Sequence, residues 1–162
     1  MQNAQANRSS TQEYKPTIRK RLYKFLTFYP PYIGAGIHVK YVAPDFHVWM
    51  NLSWFNRNAV GTHFGGSLYA MCDPYFMLIL MEQLGADYIV WDKAAEIQFV
   101  RPGRGTVSAD FHIPPETVAD LRARADHGEK IEPVFQVDVV DKDGKVVARV
   151  QKRLYVRKKN EK

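Results

Sequence analysis

The stretch NAVGTHFGGSLYAMCDPYFMLILM, residues 58–81, is almost wholly apolar or small and carries a single carboxylate, Asp73, directly before a proline. Charged side chains are rarely buried without a partner or a task. The apolar run is long enough for a helix, and Gly85 shortly after it suits a helix C-terminus. A helix that is apolar on nearly all sides must be buried, so this stretch predicts a helix at the centre of the fold.

The local pattern around Asp73 has two interpretations. In the first interpretation, a helix begins at Pro74 and Asp73 is its cap, because Asp is a favoured N-cap residue and Pro is favoured at the first helical position. In the other, Pro74 only kinks a longer helix, and the carboxylate of Asp73 is free for chemistry.

Length and composition favour a single globular domain. The chain has 162 residues and one cysteine, so it has no internal disulfide, and its histidines show no metal-site spacing. We expect a disordered polar arm at 1–16, one domain at 17–157 and a basic tail at 158–162. The arm lacks the apolar segment of a secretory signal, so we expect a cytoplasmic protein. The uninterrupted apolar run, 75–81, is well short of the roughly 18 residues of a membrane span, which predicts no stable membrane insertion.

Alternation of apolar and polar residues predicts strands on both sides of the central helix. Two strands precede it, from Ile37 to Tyr41 and from Phe46 to Trp54, with a turn at Pro44. Four follow it, with apolar positions at 95–99, 107–113, 135–139 and 146–156. Asp143-Gly144 is a strong hairpin signal between the last two.

Two further helices are predicted. The apolar residues from Ile18 to Tyr29 fall at helical spacing, which predicts an amphipathic N-terminal helix that ends at Pro30-Pro31. The segment 114–128 predicts a surface helix with Val118 and Leu121 facing inward. The chain is therefore expected to be an α+β domain, with an antiparallel sheet of about six strands wrapped around a long central helix and an extra N-terminal helix.

The formal net charge of +6 lies partly in the runs IRKRLYK, at 18–24, and VRKK, at 156–159. Such runs are typical of solvated faces, and no nucleic-acid-binding pattern accompanies them. Binding of the first helix to an anionic membrane surface stays open as an alternative.

The motif NRNAVGTHFGGSLYAMCDP and the later DKAAEIQFVRPG resemble the hotdog fold, and more narrowly the thioesterase-like family known as domain of unknown function 4442. The resemblance covers residues 15–157. It implies a homodimer whose sheets join and whose sites lie at the dimer interface; pairing of dimers into tetramers stays open. It also implies an acyl-CoA thioesterase that needs no cofactor beyond the coenzyme A thioester substrate.

The resemblance to phenylacetyl-CoA-type thioesterases assigns roles, by position, to three residues of this chain. Asp73 matches the catalytic carboxylate, which acts as general base or nucleophile. Gly65 matches the glycine whose amide holds the oxyanion at a helix N-terminus, and Asn58 matches the asparagine that positions water or the carbonyl.

The resemblance also implies a set of substrate-binding residues. The loop and glycine entry supply His63, Phe64 and Gly66. The acyl group is expected beside Tyr69, Phe76 and Met77, and the coenzyme A tail beside Lys93, Arg101 and Arg104.

The chain departs from those relatives at two places. Phe64 stands before the glycines where they usually carry histidine, and Asp92 stands where a serine or threonine is often found. A second hypothesis is therefore a hotdog protein that binds acyl-CoA or fatty-acyl groups without hydrolysing them. A dehydratase is a third, but that chemistry needs an Asp and His pair and no histidine is placed by motif.

Overall fold

The computed structural model describes residue 23 and residues 25–160. Its strands form one antiparallel sheet in the order β1-β2-β4-β5-β6-β3. They are Ile37–Val42 (β1), Asp45–Asn51 (β2), Tyr88–Phe99 (β3), Thr106–Phe111 (β4), Val134–Asp141 (β5) and Val146–Lys158 (β6). The helices are Pro30–Ala35 (α1), Gly65–Ala70 (α2), Tyr75–Leu84 (α3) and Pro115–Asp126 (α4). The predicted α+β architecture, a six-stranded antiparallel sheet around a central helical segment, is confirmed.

The start of the described chain differs from the predicted N-terminal helix. The polar arm and half of that helix lie outside the described residues. Within them, Leu26–Phe28 is a single 3-10 turn, and α1 begins at Pro30, where the sequence predicted a helix to end. That end was predicted wrongly: proline lacks only an N–H that the first helical turn leaves unpaired, so it suits a helix start.

Strand β2 ends at Asn51, three residues before the predicted end, and Trp54 is 74% exposed. The buried side chain of Asn56 turns the chain out of the sheet. Its amide donates to the carbonyls of Ala35 and Asn51, and its oxygen accepts from the amide of Ser53, all at 2.8 Å. These bonds satisfy backbone groups that the sheet no longer pairs, so period-two spacing alone placed the boundary too late.

The core lies between the sheet and the central helices. Alternate residues of the strands point inward, among them Val48, Val107 and Val150, and α3 buries Tyr75 and Ile79 against them. The hairpin between β5 and β6 and the inward face of α4 follow the predictions. Gly144 has φ of 73° in the hairpin turn, a conformation that favours glycine.

Strand β3 forms one edge of the sheet. Among the described strands it pairs only with β6, and it is longer than predicted, since it starts at Tyr88 rather than near Ala95. Its register shifts between Asp92 and Ala94, so Lys93 lies in an irregularity of the strand. On either side of this shift, Asp92 pairs with Leu154 and Ala95 pairs with Lys152. Leu154 and Lys152 are buried, so Asp92 and Ala95 lie on the same face of the sheet, which meets the helices.

Candidate functional site

Asp73 lies in the break between α2 and α3. The amide of Asp73 still donates to the carbonyl of Ala70, at 3.3 Å, but Pro74 has no amide with which to continue the helix. Pro74 occupies the N-cap position of α3, and no side chain in the described part of the chain caps that helix. The structure therefore contradicts the interpretation of Asp73 as an N-cap and leaves its carboxylate available for other contacts.

The partner of Asp73 is Lys152, at an inward position of β6. Its side chain is only 2% exposed, and its Nζ forms an ion pair with Oδ1 of Asp73. The same Nζ lies 3.2 Å from Oδ2 of Asp92 and 3.3 Å from the hydroxyl of Tyr69. Three oxygens thus surround an ammonium group that has three N–H donors, which compensates the burial of its charge.

The two carboxylates differ in their access to solvent. The side chain of Asp73 is 42% exposed, whereas that of Asp92 is 24% exposed and its Oδ1 is buried without a hydrogen-bond partner among the described residues. Asp73 is thus anchored from the sheet side and open on the other. A carboxylate held in this way can take a proton from a water molecule above it.

The electrostatics of the cluster keep Lys152 charged. Burial alone lowers the pKa of Lys152, but the hydrogen bond and charge of Asp73, together with the charge of Asp92, outweigh burial and raise it. Burial raises the pKa of Asp92, and the charge of Asp73 adds to that effect while Lys152 opposes it. The site therefore holds two carboxylates around one cation, and burial favours the neutral form of Asp92.

The glycine entry to α2 is packed against aromatic rings. Gly65 is the first residue of α2, and a Cβ placed on it would lie 2.9 Å from Cζ of Phe99. A Cβ on Gly66 would collide with the ring of Phe64. Both rings are more than half exposed. Packing thus favours glycine at both positions, whatever part the Gly65 amide has in catalysis.

Asn58 and His63 connect the loop before α2. The amide nitrogen of Asn58 donates to the hydroxyl of Thr62 at 2.9 Å and to the carbonyl of His63 at 3.2 Å. Its oxygen accepts from the amides of Val60 and Thr62. In this structure the Asn58 side chain shapes the loop, and its assigned role in positioning water stays a prediction.

His63 is buried and ties this loop to the β3–β4 connection. Its Nε2 lies 2.8 Å from the carbonyl of Gly105, to which it donates. Burial lowers the pKa of His63, which favours the neutral ring, and Nδ1 has no partner among the described residues. The ring thus has a local structural contact, and its assigned role in substrate binding stays a prediction.

The predicted acyl-binding residues differ in their surroundings. Tyr69 lies beside the cluster, with its ring centroid 5.4 Å from Nζ of Lys152. Phe76 is buried and stacks on Phe135 at a centroid distance of 5.1 Å, whereas Met77 is half-buried. Tyr69 is therefore placed at the site, while Phe76 fills the core beneath it.

The three basic residues predicted to meet coenzyme A lie on β3 and the connection after it. Lys93 forms an ion pair with Glu132, and Arg101 pairs with Asp141 at 2.8 Å. Arg104 is exposed, with a 3.5 Å contact to the carbonyl of Gly61. Two of the three are already paired, so their part in binding a phosphate group stays a prediction.

Lys152 was missed by the sequence prediction, and Asp92 was noted only as a departure. The signal for Lys152 is present in VQKRLYV, because it shares the parity of Val150, Leu154 and Val156. A charge at an inward strand position requires a buried counter-charge. That signal points to an acidic partner, although it does not say which one.

Three further features of the described residues concern metal binding, membrane-spanning helices and the single cysteine. No cluster of three or more His, Cys, Asp or Glu side chains there is arranged to hold a metal ion. Among the helices of this part of the chain, none is both long and apolar enough to cross a membrane. Cys72 is buried, and burial raises the pKa of its thiol to about 12, so the thiol is a poor nucleophile.

The chain belongs to the family described as domain of unknown function (DUF4442), whose model matches residues 19–156. No curated protein matches the chain. The family assignment and the sheet around its central helices define a hotdog-fold protein, as the resemblance predicted.

Solved structures of the same fold have low sequence identity to the chain. A Pseudomonas aeruginosa protein of unknown function, described as a probable thioesterase, is 18% identical with a TM-score of 0.79, over 89% of this chain and 98% of that one. A Chlorobaculum tepidum protein of unknown function is 17% identical, with a TM-score of 0.68 over 86% and 94%. A thioesterase from Haemophilus influenzae is 16% identical, with a TM-score of 0.64 over 91% and 95%. At these identities the likeness shows the fold.

Proposed function

We propose that this protein hydrolyses acyl-CoA thioesters, with Asp73 as the general base. The observation that carries the proposal is the carboxylate of Asp73, anchored by the buried ammonium of Lys152 and 42% exposed on its other side. An oriented carboxylate with one accessible face is what activation of water needs. The description of similar folds from Pseudomonas aeruginosa and Haemophilus influenzae as thioesterases supports the same chemistry.

In the proposed reaction Asp73 takes a proton from water while the oxygen of that water bonds to the thioester carbonyl carbon. The negative charge moves to the carbonyl oxygen, where the amide of Gly65 stabilises it. When the intermediate collapses, the carbon–sulfur bond breaks and the leaving sulfur takes the proton from Asp73. The products are a carboxylic acid and free coenzyme A, and no cofactor takes part.

The site is proposed to form between two copies of the chain. Gly65 and Asp73 are eight residues apart, which along a helix is on the order of 12 Å and too far for both to contact one carbonyl group. The outer edge of β3 is unpaired in the described sheet, and a long open strand edge favours pairing with another chain. A two-fold pairing through β3 provides the glycine of one copy to the carboxylate of the other.

The substrate is proposed to be an acyl chain carried by coenzyme A. The acyl group lies beside Tyr69 and Met77, and the phosphates of the carrier meet Lys93, Arg101 and Arg104. For Lys93 and Arg101 this requires an exchange of their present carboxylate partners for phosphate. The pair of Lys93 and Glu132 is exposed and contributes only about 0–1 kcal/mol, so it exchanges readily. The pair of Arg101 and Asp141 is partly buried and exchanges less readily.

The second candidate is an acyl-thioester binding protein without turnover. The ion pair between Lys152 and Asp73 favours this second candidate, since the ammonium group occupies one oxygen of the carboxylate in the structure. The two functions differ in one observable. A binding protein gains thermal stability with acyl-CoA and releases no thiol, whereas the enzyme releases thiol.

The test is thiol release from a panel of acyl-CoA substrates of different chain length, with wild type, Asp73→Asn and Asp110→Asn. Asp110 is the matched control, because it is an exposed aspartate on β4. We expect Asp73→Asn to lower turnover about 100-fold or more, the scale of losing a general base, and Asp110→Asn to keep wild-type turnover. An active Asp73→Asn protein, or no release across the panel, would refute the proposal.

A further inference from the structure

Asp92 contacts the same ammonium group as Asp73 from the other side, which the role of Asp73 as base does not explain. Oδ2 of Asp92 lies 3.2 Å from Nζ of Lys152, and that lysine is also paired with Oδ1 of Asp73. The charge of Asp73 also raises the pKa of Asp92, so the two carboxylates disfavour each other's charged form. Before a proton is taken up, the cluster carries two negative charges around one positive charge.

We propose that Asp92 is a positioning residue of the active site, which acts through the shared Lys152 to set the pH at which Asp73 accepts a proton. This inference rests on the proposed function of Asp73 as the base. It concerns a residue that the likeness to thioesterases marks only as a departure.

Asp92 decides which charges remain around Lys152 when Asp73 takes up a proton. With Asp92 present, proton uptake by Asp73 leaves a neutral pair of Lys152 and Asp92. Without Asp92, the same uptake leaves the ammonium of Lys152, whose side chain is 2% exposed, with no counter-charge. An uncompensated buried charge is strongly unfavourable. Asp92 therefore makes it easier for Asp73 to hold a proton.

Several other titratable groups lie around Asp73. Those that face it or Lys152 from the packed elements of the described chain are Tyr32 on α1, Tyr69 on α2, Cys72 in the break, Tyr75 on α3, Asp92 on β3 and Lys152 on β6. Burial raises the pKa of Tyr32 and of Cys72 to about 12, and it raises the pKa of Tyr75 as well. Tyr32, Cys72 and Tyr75 therefore stay neutral near pH 7, and the charges of the cluster lie on Asp73, Asp92 and Lys152.

The experiment measures the acid limb of the pH profile of kcat/KM for thiol release. In Asp92→Asn we expect the limb to move to lower pH by about one unit, because the remaining carboxylate is paired with a full positive charge. In Lys152→Met it moves the other way, to higher pH by about one unit or more, because two carboxylates then face each other without the cation. Asp110→Asn and Lys145→Met, which alter exposed charges, leave the limb unmoved.

If Asp92 has only a structural role, Asp92→Asn changes the amount of active protein but does not move the acid limb of the pH profile. An acid limb that stays in place or moves to higher pH in Asp92→Asn therefore overturns the inference, while the proposed function stands. If Lys152→Met does not fold, Asp92→Asn alone decides. If the wild type releases no thiol, the proposed function fails separately. The inference is then decided by NMR titration of ¹³C-labelled aspartate, with the Asp73 signal assigned from Asp73→Asn. A lower midpoint for Asp73 in Asp92→Asn supports coupling, and an unchanged midpoint refutes it.

Discussion

Lys152 on β6 and Asp73 form an ion pair. It joins the inner face of the sheet to the break between α2 and α3. Lys152 and Asp73 are 79 residues apart in the chain. The pair does two things in the fold. It compensates a charge buried in the sheet, and it fixes the direction of the carboxylate that we propose as the base.

Replacing Lys152 with methionine is expected to destabilise the fold more at high pH than at low pH. Methionine fills similar space but leaves Asp73 and Asp92 facing each other without a cation, which raises their pKa in the folded state. A folded state that binds more protons than the unfolded state loses stability as pH rises. Urea unfolding should show a loss of about 3 kcal/mol near pH 8 and a smaller loss near pH 5. An equal loss at both pH values would contradict the charge argument.

Gly65→Ala is expected to lower stability through a steric conflict with Phe99. The added methyl would lie 2.9 Å from Cζ of that ring, so the ring must move, at a cost of about 1–2 kcal/mol. Gly34→Ala in α1 is the matched control, because a Cβ there meets no atom within 4 Å. Thermal unfolding of Gly65→Ala in a Phe99→Ala background should show most of the loss removed; an undiminished loss would place its cause elsewhere.

The unpaired edge of β3 predicts a homodimer in solution. Sedimentation analysis should give about twice the 18.7 kDa mass of the chain. Because association stabilises the folded state by mass action, the melting temperature should rise with protein concentration. A single-chain mass together with a concentration-independent melting temperature would show that the β3 edge is not an interface.

Cys72 is expected to resist thiol reagents in the folded protein. It is fully buried, and burial raises the pKa of its thiol to about 12, so almost no thiolate forms at neutral pH. Since the chain has one cysteine, a colorimetric thiol reagent reports on this residue alone. One equivalent should react in denaturant and almost none without it. Rapid reaction of the folded protein would contradict the burial of Cys72.

The sequence predicted the strands on either side of the central helix well, because an alternating pattern records which face of a strand is buried. It predicted the hairpin at Asp143-Gly144 for a similar reason, since the turn needs residues that accept left-handed backbone. Boundaries set by other contacts were predicted less well. The strand β2 ends where Asn56 captures the backbone, and no period-two pattern contains that information.

In the candidate site, too, the sequence predicted what depends on local spacing and missed what depends on long-range contacts. The position of Asp73 follows from its spacing to the glycines, but its partner does not, because Lys152 meets it only after the sheet and helices pack together. The local rule for Asp before Pro favoured a helix cap, and the long-range ion pair with Lys152 prevailed over it. Asp92 carried no local signal beyond its difference from the related thioesterases.

The most direct test of Asp73 as the catalytic base is a crystal structure with a non-hydrolysable acyl-CoA analogue, in which a thioether replaces the thioester. The distance to measure joins the carboxylate of Asp73 to the water or carbon at the reacting centre. We predict a carboxylate oxygen within about 3.5 Å of that water or carbon, still paired with Lys152. An analogue bound with its reacting centre remote from Asp73 would contradict the account.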